Sequence, residues 1–119
     1  MDTRLTEAEL RLADLLWENA PLSSPRLVDL CAQRMGWKKS TTYTMLKRLE
    51  NKGLFANDGG TVSALLSREQ YDEAHSRQFV RESFGGSLPR FLAAFAGGGR
   101  LSSAEAAELK KLIDGWQED

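Results

Sequence analysis

The chain has 119 residues, of which 28% are charged and 41% are hydrophobic, a composition typical of a globular protein and not of a disordered one. The net charge of −1 does not suggest a nucleic-acid binder, and a single cysteine and a single histidine exclude a disulfide framework and predict neither a metal site nor a cofactor. No apolar run approaches the ~18 residues of a membrane span and the N-terminus lacks a signal-peptide pattern, so we expect a cytoplasmic binding protein and no enzyme.

Helix signals dominate the first part of the chain. Thr6 and Glu9 form a capping box, which predicts a helix that runs to about Glu18. A second helix is predicted to start at Ser24, because serine is a favoured N-cap and a proline follows it in the first turn. Gly36 supplies the left-handed residue at which this helix ends.

The third helix and the hairpin after it complete this part. The helix begins near Ser40 and ends at Gly53, and one of its faces is apolar. Two short strands at 54–56 and 61–66 flank a turn at 57–60, whose Asn, Asp and Gly residues tolerate positive φ. The predicted core face of the third helix comprises Thr42, Met45, Leu46 and Leu49. A helix-turn-helix followed by a two-stranded wing is the winged-helix arrangement of DNA-binding modules.

Three further helices follow the wing. Ser67 and Gln70 form a second capping box, so a helix is expected from there to about Phe84. The next two helices carry apolar residues at i, i+3, i+4 and i+7 spacing. We therefore predict a mainly α protein with a small β-hairpin, in which a winged helix-turn-helix at 1–66 precedes a helical dimerisation region at 67–119.

Dimerisation is predicted because the first of these three helices is apolar on two sides and the region is too small to be stable alone. A second copy would bury the extra face and place two recognition helices on a two-fold axis. The alternative is that these helices pack back on the winged helix. The predicted dimer interface comprises Tyr71, Val80, Phe84, Leu88, Phe91, Leu92, Phe95, Leu109, Leu112, Ile113 and Trp116.

The face of the third helix opposite its core combines hydroxyl and basic side chains. Between Lys38 and Lys52 there are five basic residues and one acidic residue, a local charge of +4 in a chain whose net charge is −1. Short hydroxyl side chains permit close approach to base edges, while Lys and Arg neutralise phosphates. The pattern indicates a DNA-recognition helix. A solvated helix face is the alternative reading.

Several segments resemble the penicillinase repressor family over nearly the whole chain. They include Leu16-Trp17-Glu18-Asn-Ala-Pro21, Gly36-Trp37-Lys-Lys-Ser-Thr-Thr-Tyr-Thr-Met-Leu-Lys-Arg-Leu49, Lys52-Gly-Leu and Phe84-Gly-Gly-Ser-Leu88. The resemblance implies a homodimeric winged-helix repressor that binds a palindromic operator of a resistance or transport gene. Carried over from the family, the DNA-binding residues are Lys38, Lys39, Ser40, Thr41, Tyr43, Thr44, Lys47 and Arg48.

The sequence departs from the family pattern in three places. The wing, residues 56–66, has no Lys or Arg and includes Asp58, so it should contribute little to phosphate binding. The Asn-Phe bond that is cleaved in the penicillinase branch corresponds to Ala94-Phe95, which counts against a membrane sensor protease as partner. The C-terminal cysteine cluster of the copper-responsive branch is absent. A protein-interaction module without specific DNA binding remains the alternative function.

Overall fold

A computed structural model describes residues 2–117, and this part of the chain contains six helices and three short strands. The helices are α1 (Glu7–Asn19), α2 (Ser24–Met35), α3 (Lys39–Asn51), α4 (Arg68–Phe84), α5 (Leu88–Ala96) and α6 (Ser103–Trp116). The strands are β1 (Leu22–Ser23), β2 (Phe55–Asp58) and β3 (Thr61–Ala64). This order confirms the predicted fold class, a mainly helical protein with a winged helix-turn-helix.

The sheet is antiparallel with the strand order β1-β3-β2. The hairpin turn is shorter than the predicted 57–60, because Asp58 and Thr61 still pair across it. Only Gly59 and Gly60 form the loop, with φ values of +61° and +89°, as a two-residue hairpin loop with positive φ at both positions requires. The third strand, β1, was not predicted, and its Leu22 pairs with Val62 of the wing.

Both predicted capping boxes are present. At the start of α1, the Glu9 N–H donates to Thr6 Oγ1 at 3.1 Å and the Thr6 N–H donates back to Glu9 Oε1 at 2.9 Å. At the start of α4, the Gln70 N–H donates to Ser67 Oγ at 3.0 Å and the Ser67 N–H donates to Gln70 Oε1 at 2.9 Å. Each box satisfies N–H groups that the first helical turn leaves without an intrahelical acceptor.

Two helix boundaries differ from those predicted from the sequence. Ser23, not Ser24, caps α2, since its Oγ accepts the N–H of Arg26 at 3.2 Å. Ser24 lies in the first turn and is buried, and its N–H donates to the Gly60 carbonyl at 2.8 Å. This hydrogen bond ties the start of α2 to the wing, a pairing distant in sequence. Helix α3 ends at Asn51, two residues before the predicted end.

The chain divides into two compact units, and the division falls after Phe79, inside α4. The buried hydrophobic side chains of the described residues all belong to the first unit. They are Leu12, Ala13, Leu15, Leu16, Leu27, Leu30, Cys31, Met45, Leu46, Leu49, Leu54, Phe55, Val62 and Tyr71. The two-sided character of α4 follows the same division, because Tyr71 lies in this core whereas Val80 and Phe84 belong to the second unit.

The second unit has no comparable core in its described residues. Helices α5 and α6 contain no buried side chain. Phe91 contacts Phe84 and Phe95, with ring centroids 5.4 Å and 6.0 Å apart. An apolar cleft of about 300 Å³ lies between α5 and α6, with Glu105 as its single charged lining residue.

Candidate nucleic-acid interface

Helix α3 has two chemically different faces. The buried face consists of Thr42, Met45, Leu46 and Leu49. Each of these side chains is at most 8% exposed, which confirms the predicted core face. The exposed members of the predicted DNA-binding set are Lys38, Lys39, Ser40, Thr41, Thr44, Lys47 and Arg48. Tyr43, the remaining member, is half-buried and packs against the core at the edge of this face.

A tight turn between α2 and α3 positions the exposed face. Gly36 has a φ of +68°, in the left-handed region that glycine adopts without a steric penalty. Its N–H donates to the Ala32 carbonyl at 3.1 Å, and the Trp37 N–H donates to the Cys31 carbonyl at 3.3 Å. The Trp37 side chain packs against the core. The turn therefore caps α2 and starts α3 within three residues.

Four cations of the 38–52 segment are available to a ligand. Lys38, Lys39, Lys47 and Arg48 are exposed and make no ion pair within residues 2–117. The fifth basic residue, Lys52, is engaged inside the protein. Its Nζ lies 3.0 Å from the carboxylate of Glu9, which is 3% exposed, and donates to the Arg4 carbonyl at 2.8 Å.

The carboxylate of Glu9 is held by several donors. Burial alone would raise its pKa, but hydrogen bonds from the Thr6 N–H and from Lys52 outweigh burial and lower the pKa below its ordinary value. Glu9 therefore stays ionised and keeps the charge of Lys52 balanced. The positive charge that the 38–52 segment offers to solvent comes from the other four cations.

The N-terminus of α3 has no side-chain cap, in contrast to those of α1 and α2. The first intrahelical hydrogen bond is from the Thr42 N–H to the Lys38 carbonyl, at 3.0 Å. The earlier N–H groups of the helix have no intrahelical acceptor, and the helix dipole places partial positive charge at this end. Lys38 and Lys39 add two full charges beside these donors. The end of the helix is thus electropositive and rich in donors.

The wing is fixed to α3 but carries no positive charge. The Asn57 N–H donates to Glu50 Oε1 at 3.1 Å, so the one acidic residue of α3 holds β2 in place. Asp58 and Thr61, which flank the turn, are exposed. Because residues 56–66 contain no Lys or Arg, the wing brings an acidic side chain toward any ligand of α3. That the wing contributes little to phosphate binding remains a prediction.

One residue of the predicted dimer interface lies elsewhere. Tyr71 is 3% exposed in the core of the first unit, and its hydroxyl donates to the Thr3 carbonyl at 2.8 Å. The centroid of its ring lies 5.2 Å from that of Trp17. Tyr71 therefore packs inside the first unit and does not lie on the dimer interface that the sequence pattern predicted for it. The other predicted interface residues lie in the second unit. Val80, Phe84, Phe91, Leu92 and Leu109 are half-buried, whereas Leu88, Phe95, Leu112, Ile113 and Trp116 are exposed.

The side chains that most often carry catalysis or bind metals are dispersed. Cys31 is fully buried, as predicted for a core residue, and burial raises the pKa of its thiol. His75 is half-buried, with Nδ1 2.9 Å from Thr3 Oγ1 and its ring stacked on Tyr71. No cluster of three or more potential metal ligands occurs among residues 2–117.

Sequence reasoning missed the hydrogen bonds that anchor the N-terminus. Thr3 and Gln78, 75 positions apart, are both buried and bonded to each other. No periodicity or motif indicates such a contact. The Thr6–Glu9 capping box was predicted from the sequence. The second role of Glu9, as the ion-pair partner of Lys52, was not predicted, because it depends on how α1 packs against α3.

None of the helices in the described part of the chain is long and apolar enough to cross a membrane.

Comparison with known proteins identifies the family of the chain. A search of curated proteins found no match. The sequence profile described as penicillinase repressor matches residues 5–115. Since this match covers nearly the whole chain, the protein belongs to the penicillinase repressor family, a family of transcriptional repressors and not of enzymes.

Proposed function

We propose that the protein is a homodimeric repressor that inserts α3 of each protomer into the major groove of a palindromic operator and so blocks transcription of a resistance or transport gene. Operator binding would exclude RNA polymerase, and the chain itself performs no catalysis. The observation that carries the proposal is the exposed face of α3, where unpaired cations and short hydroxyl side chains stand together on a helix whose other face is buried.

The residues of this face have distinct roles in the proposal. Lys38 and Lys39, at the uncapped helix N-terminus, bind phosphates on one side of the groove. The hydroxyls of Thr41 and Thr44 reach base edges, and their methyl groups can contact thymine methyls. Lys47, one turn further along, binds a second phosphate or a guanine edge. Ser40, Tyr43 and Arg48 complete the set.

The proposed dimer rests on the apolar surface of the second unit. Phe95 is 70% exposed and Trp116 is 65% exposed, and both lie on helices without a buried side chain. Large exposed apolar side chains gathered in one unit are typical of an interaction site. A two-fold dimer covers the same patch on both protomers and spaces two recognition helices by about 34–36 Å or a multiple of it.

The proposal is tested by measuring binding to DNA from the promoter of the protein's own gene, with random-sequence DNA as competitor. Lys47→Glu should weaken specific binding at least about a hundredfold, because a phosphate contact becomes a repulsion in both half-sites. Lys111→Glu is the matched control, since it makes the same charge change on an exposed side chain of α6.

The binding measurements distinguish an operator-binding repressor from a protein-interaction module. Preference for the promoter DNA, lost in Lys47→Glu and kept in Lys111→Glu, supports the proposal. A wild-type protein that binds promoter and random DNA equally is not an operator-binding repressor. If it also binds no DNA in a salt-dependent manner, the winged helix serves as a protein-interaction module instead.

A further inference from the structure

The N-terminal segment, Asp2–Arg4, is bound to α4 by a buried set of hydrogen bonds. Thr3 is 1% exposed. Its N–H and its hydroxyl both donate to Gln78 Oε1, at 2.8 Å and 2.6 Å. Its carbonyl accepts the Tyr71 hydroxyl at 2.8 Å, and its Oγ1 lies 2.9 Å from His75 Nδ1. One residue therefore contacts three positions along two turns of α4.

Gln78 makes hydrogen bonds to both Thr3 and Asp2 of the N-terminal segment. It is 5% exposed, and its Nε2 donates to Asp2 Oδ1 at 3.2 Å, so both ends of its amide are bonded to the N-terminal segment. Phe79, the next residue, is the last of the first unit. A purely apolar contact would also hold α4 against the N-terminal segment, but it would permit small rotations and translations of the helix. Buried hydrogen bonds are directional, so they fix one position of α4 relative to this segment.

The same segment also contacts the end of α3. Lys52, the C-cap residue of α3, donates to the Arg4 carbonyl at 2.8 Å and pairs with Glu9. The α4 contact, from Thr3 to Gln78, and the α3 contact, from Lys52 to Arg4, are made by adjacent residues of the N-terminal segment. The segment therefore connects α3 to α4 through hydrogen bonds made by two adjacent residues.

We propose that Thr3 is a positioning residue that sets the operator spacing: by fixing α4 relative to α3, it determines how far apart the two recognition helices lie. This inference rests on the proposed dimeric repressor. Helix α4 has 17 residues and is about 25 Å long. The Thr3 contacts extend to Gln78, six residues or about 9 Å before α4 ends at Phe84, so a tilt of about 10° there moves that end by about 1.6 Å in each protomer, or about 3 Å in the two together, close to the ~3.4 Å rise of one base pair. Loss of the Thr3 contacts then relaxes the choice between half-site spacings.

The experiment uses duplexes enriched from a random-sequence pool by the full-length wild-type protein. From the preferred palindrome, versions with one base pair added or removed between the half-sites are made. Wild type should prefer its own spacing by at least about tenfold. Thr3→Val keeps the shape and the backbone hydrogen bonds but removes the hydroxyl, and should reduce the preference to less than about threefold. Gln78→Met tests the same contact from α4.

Two controls separate positioning from mere stability. Thr3→Ser restores the hydroxyl and should restore the spacing preference. Ser76→Ala removes a hydroxyl of α4 that donates to the Glu73 carbonyl and does not contact the N-terminal segment, and it should leave the preference unchanged. Thermal melting monitored by circular dichroism confirms that each variant is folded at the assay temperature.

The inference is overturned if folded Thr3→Val and Gln78→Met keep the full spacing preference. It is equally overturned if both lose affinity for all three spacings in parallel, since that result reports a general loss of structure. A wild-type protein that enriches no sequence from the pool refutes the proposed function, and the inference fails with it. A wild type that enriches a palindrome but tolerates all spacings refutes the inference alone.

Discussion

The ion pair between Glu9 and Lys52 allows a quantitative test of how α1 and α3 are held together. The side chain of Glu9 is 3% exposed and that of Lys52 is 29% exposed, with 3.0 Å between the charged atoms. The pair Arg34–Glu18 provides a matched comparison, because its 3.2 Å separation is similar but its side chains are 51% and 66% exposed. Lys52→Met and Arg34→Met each remove one cation and retain much of the apolar stem.

The two substitutions should differ several-fold in their effect on the free energy of unfolding. Removing one partner of a fully buried pair costs about 3–5 kcal/mol, because the other charge remains buried. Glu9 keeps its hydrogen bonds with Thr6, and Lys52 is partly exposed, so we expect about 2 kcal/mol for Lys52→Met. For Arg34→Met we expect at most about 0.5 kcal/mol, as for other exposed pairs.

The pH dependence provides a second, independent signature. The pKa of Glu9 is lowered in the folded state, so its stabilising contribution is present above the pKa of the unfolded chain and is lost as the pH falls through the folded-state pKa. In Lys52→Met, one of the interactions that oppose burial is gone, so Glu9 takes up a proton at higher pH than in the wild type. The penalty of the substitution should therefore shrink between pH 7 and about pH 4.

Urea unfolding followed by tryptophan fluorescence measures these differences, at one protomer concentration because dimer formation would link stability to concentration. Equal losses for Lys52→Met and Arg34→Met would show that burial does not strengthen the Glu9 pair. If the loss of unfolding free energy in Lys52→Met stays constant between pH 7 and about pH 4, the charge of Glu9 is not the cause of that loss.

Three further predictions concern binding, assembly and the wing. If each of the four unpaired cations of α3 neutralises one phosphate per protomer, a plot of log affinity against log salt should have a slope of about −7, and Lys47→Ala should make it shallower by about 2; a titration giving a slope near −2 would contradict this. Phe95→Asp should convert the proposed dimer to monomer in sedimentation velocity, whereas Lys111→Glu should not, and a dimeric Phe95→Asp would show that the interface lies elsewhere. Gly59→Ala should cost about 1 kcal/mol in urea unfolding, because φ is +61° there, and Gly59→Asn should cost less; equal costs would argue against strain.

Features encoded by neighbouring residues were predictable from the sequence. The two capping boxes, at Thr6 and at Ser67, join residues three positions apart. The Asn, Asp and Gly residues at 57–60 predicted the hairpin, although its loop contains only Gly59 and Gly60. The buried face of α3 follows from helical periodicity alone. These are cases in which local preference and tertiary structure agree.

Features that depend on distant partners were not predictable. Strand β1 has only two residues and exists because Leu22 meets Val62, forty positions later. Tyr71 looked like an interface residue on its own helix, but the N-terminal Thr3 and the ring of Trp17 enclose it. The proposed roles of the α3 face and of the second unit depend on DNA and on a second protomer, whose positions are not encoded by contacts within one chain.

The two faces of α3 also bear on how such a protein can change over evolution. The buried residues of the helix are Thr42, Met45, Leu46 and Leu49, and none of them belongs to the proposed DNA-contacting set, in which only Tyr43 also packs against the core. Exposed positions such as Thr41 and Thr44 tolerate substitution with changes in stability of about 0.5 kcal/mol or less. In the proposed repressor, substitutions at these positions would change the preferred operator without passing through an unstable intermediate, so duplicated copies of the gene would acquire separate targets while they keep the same fold.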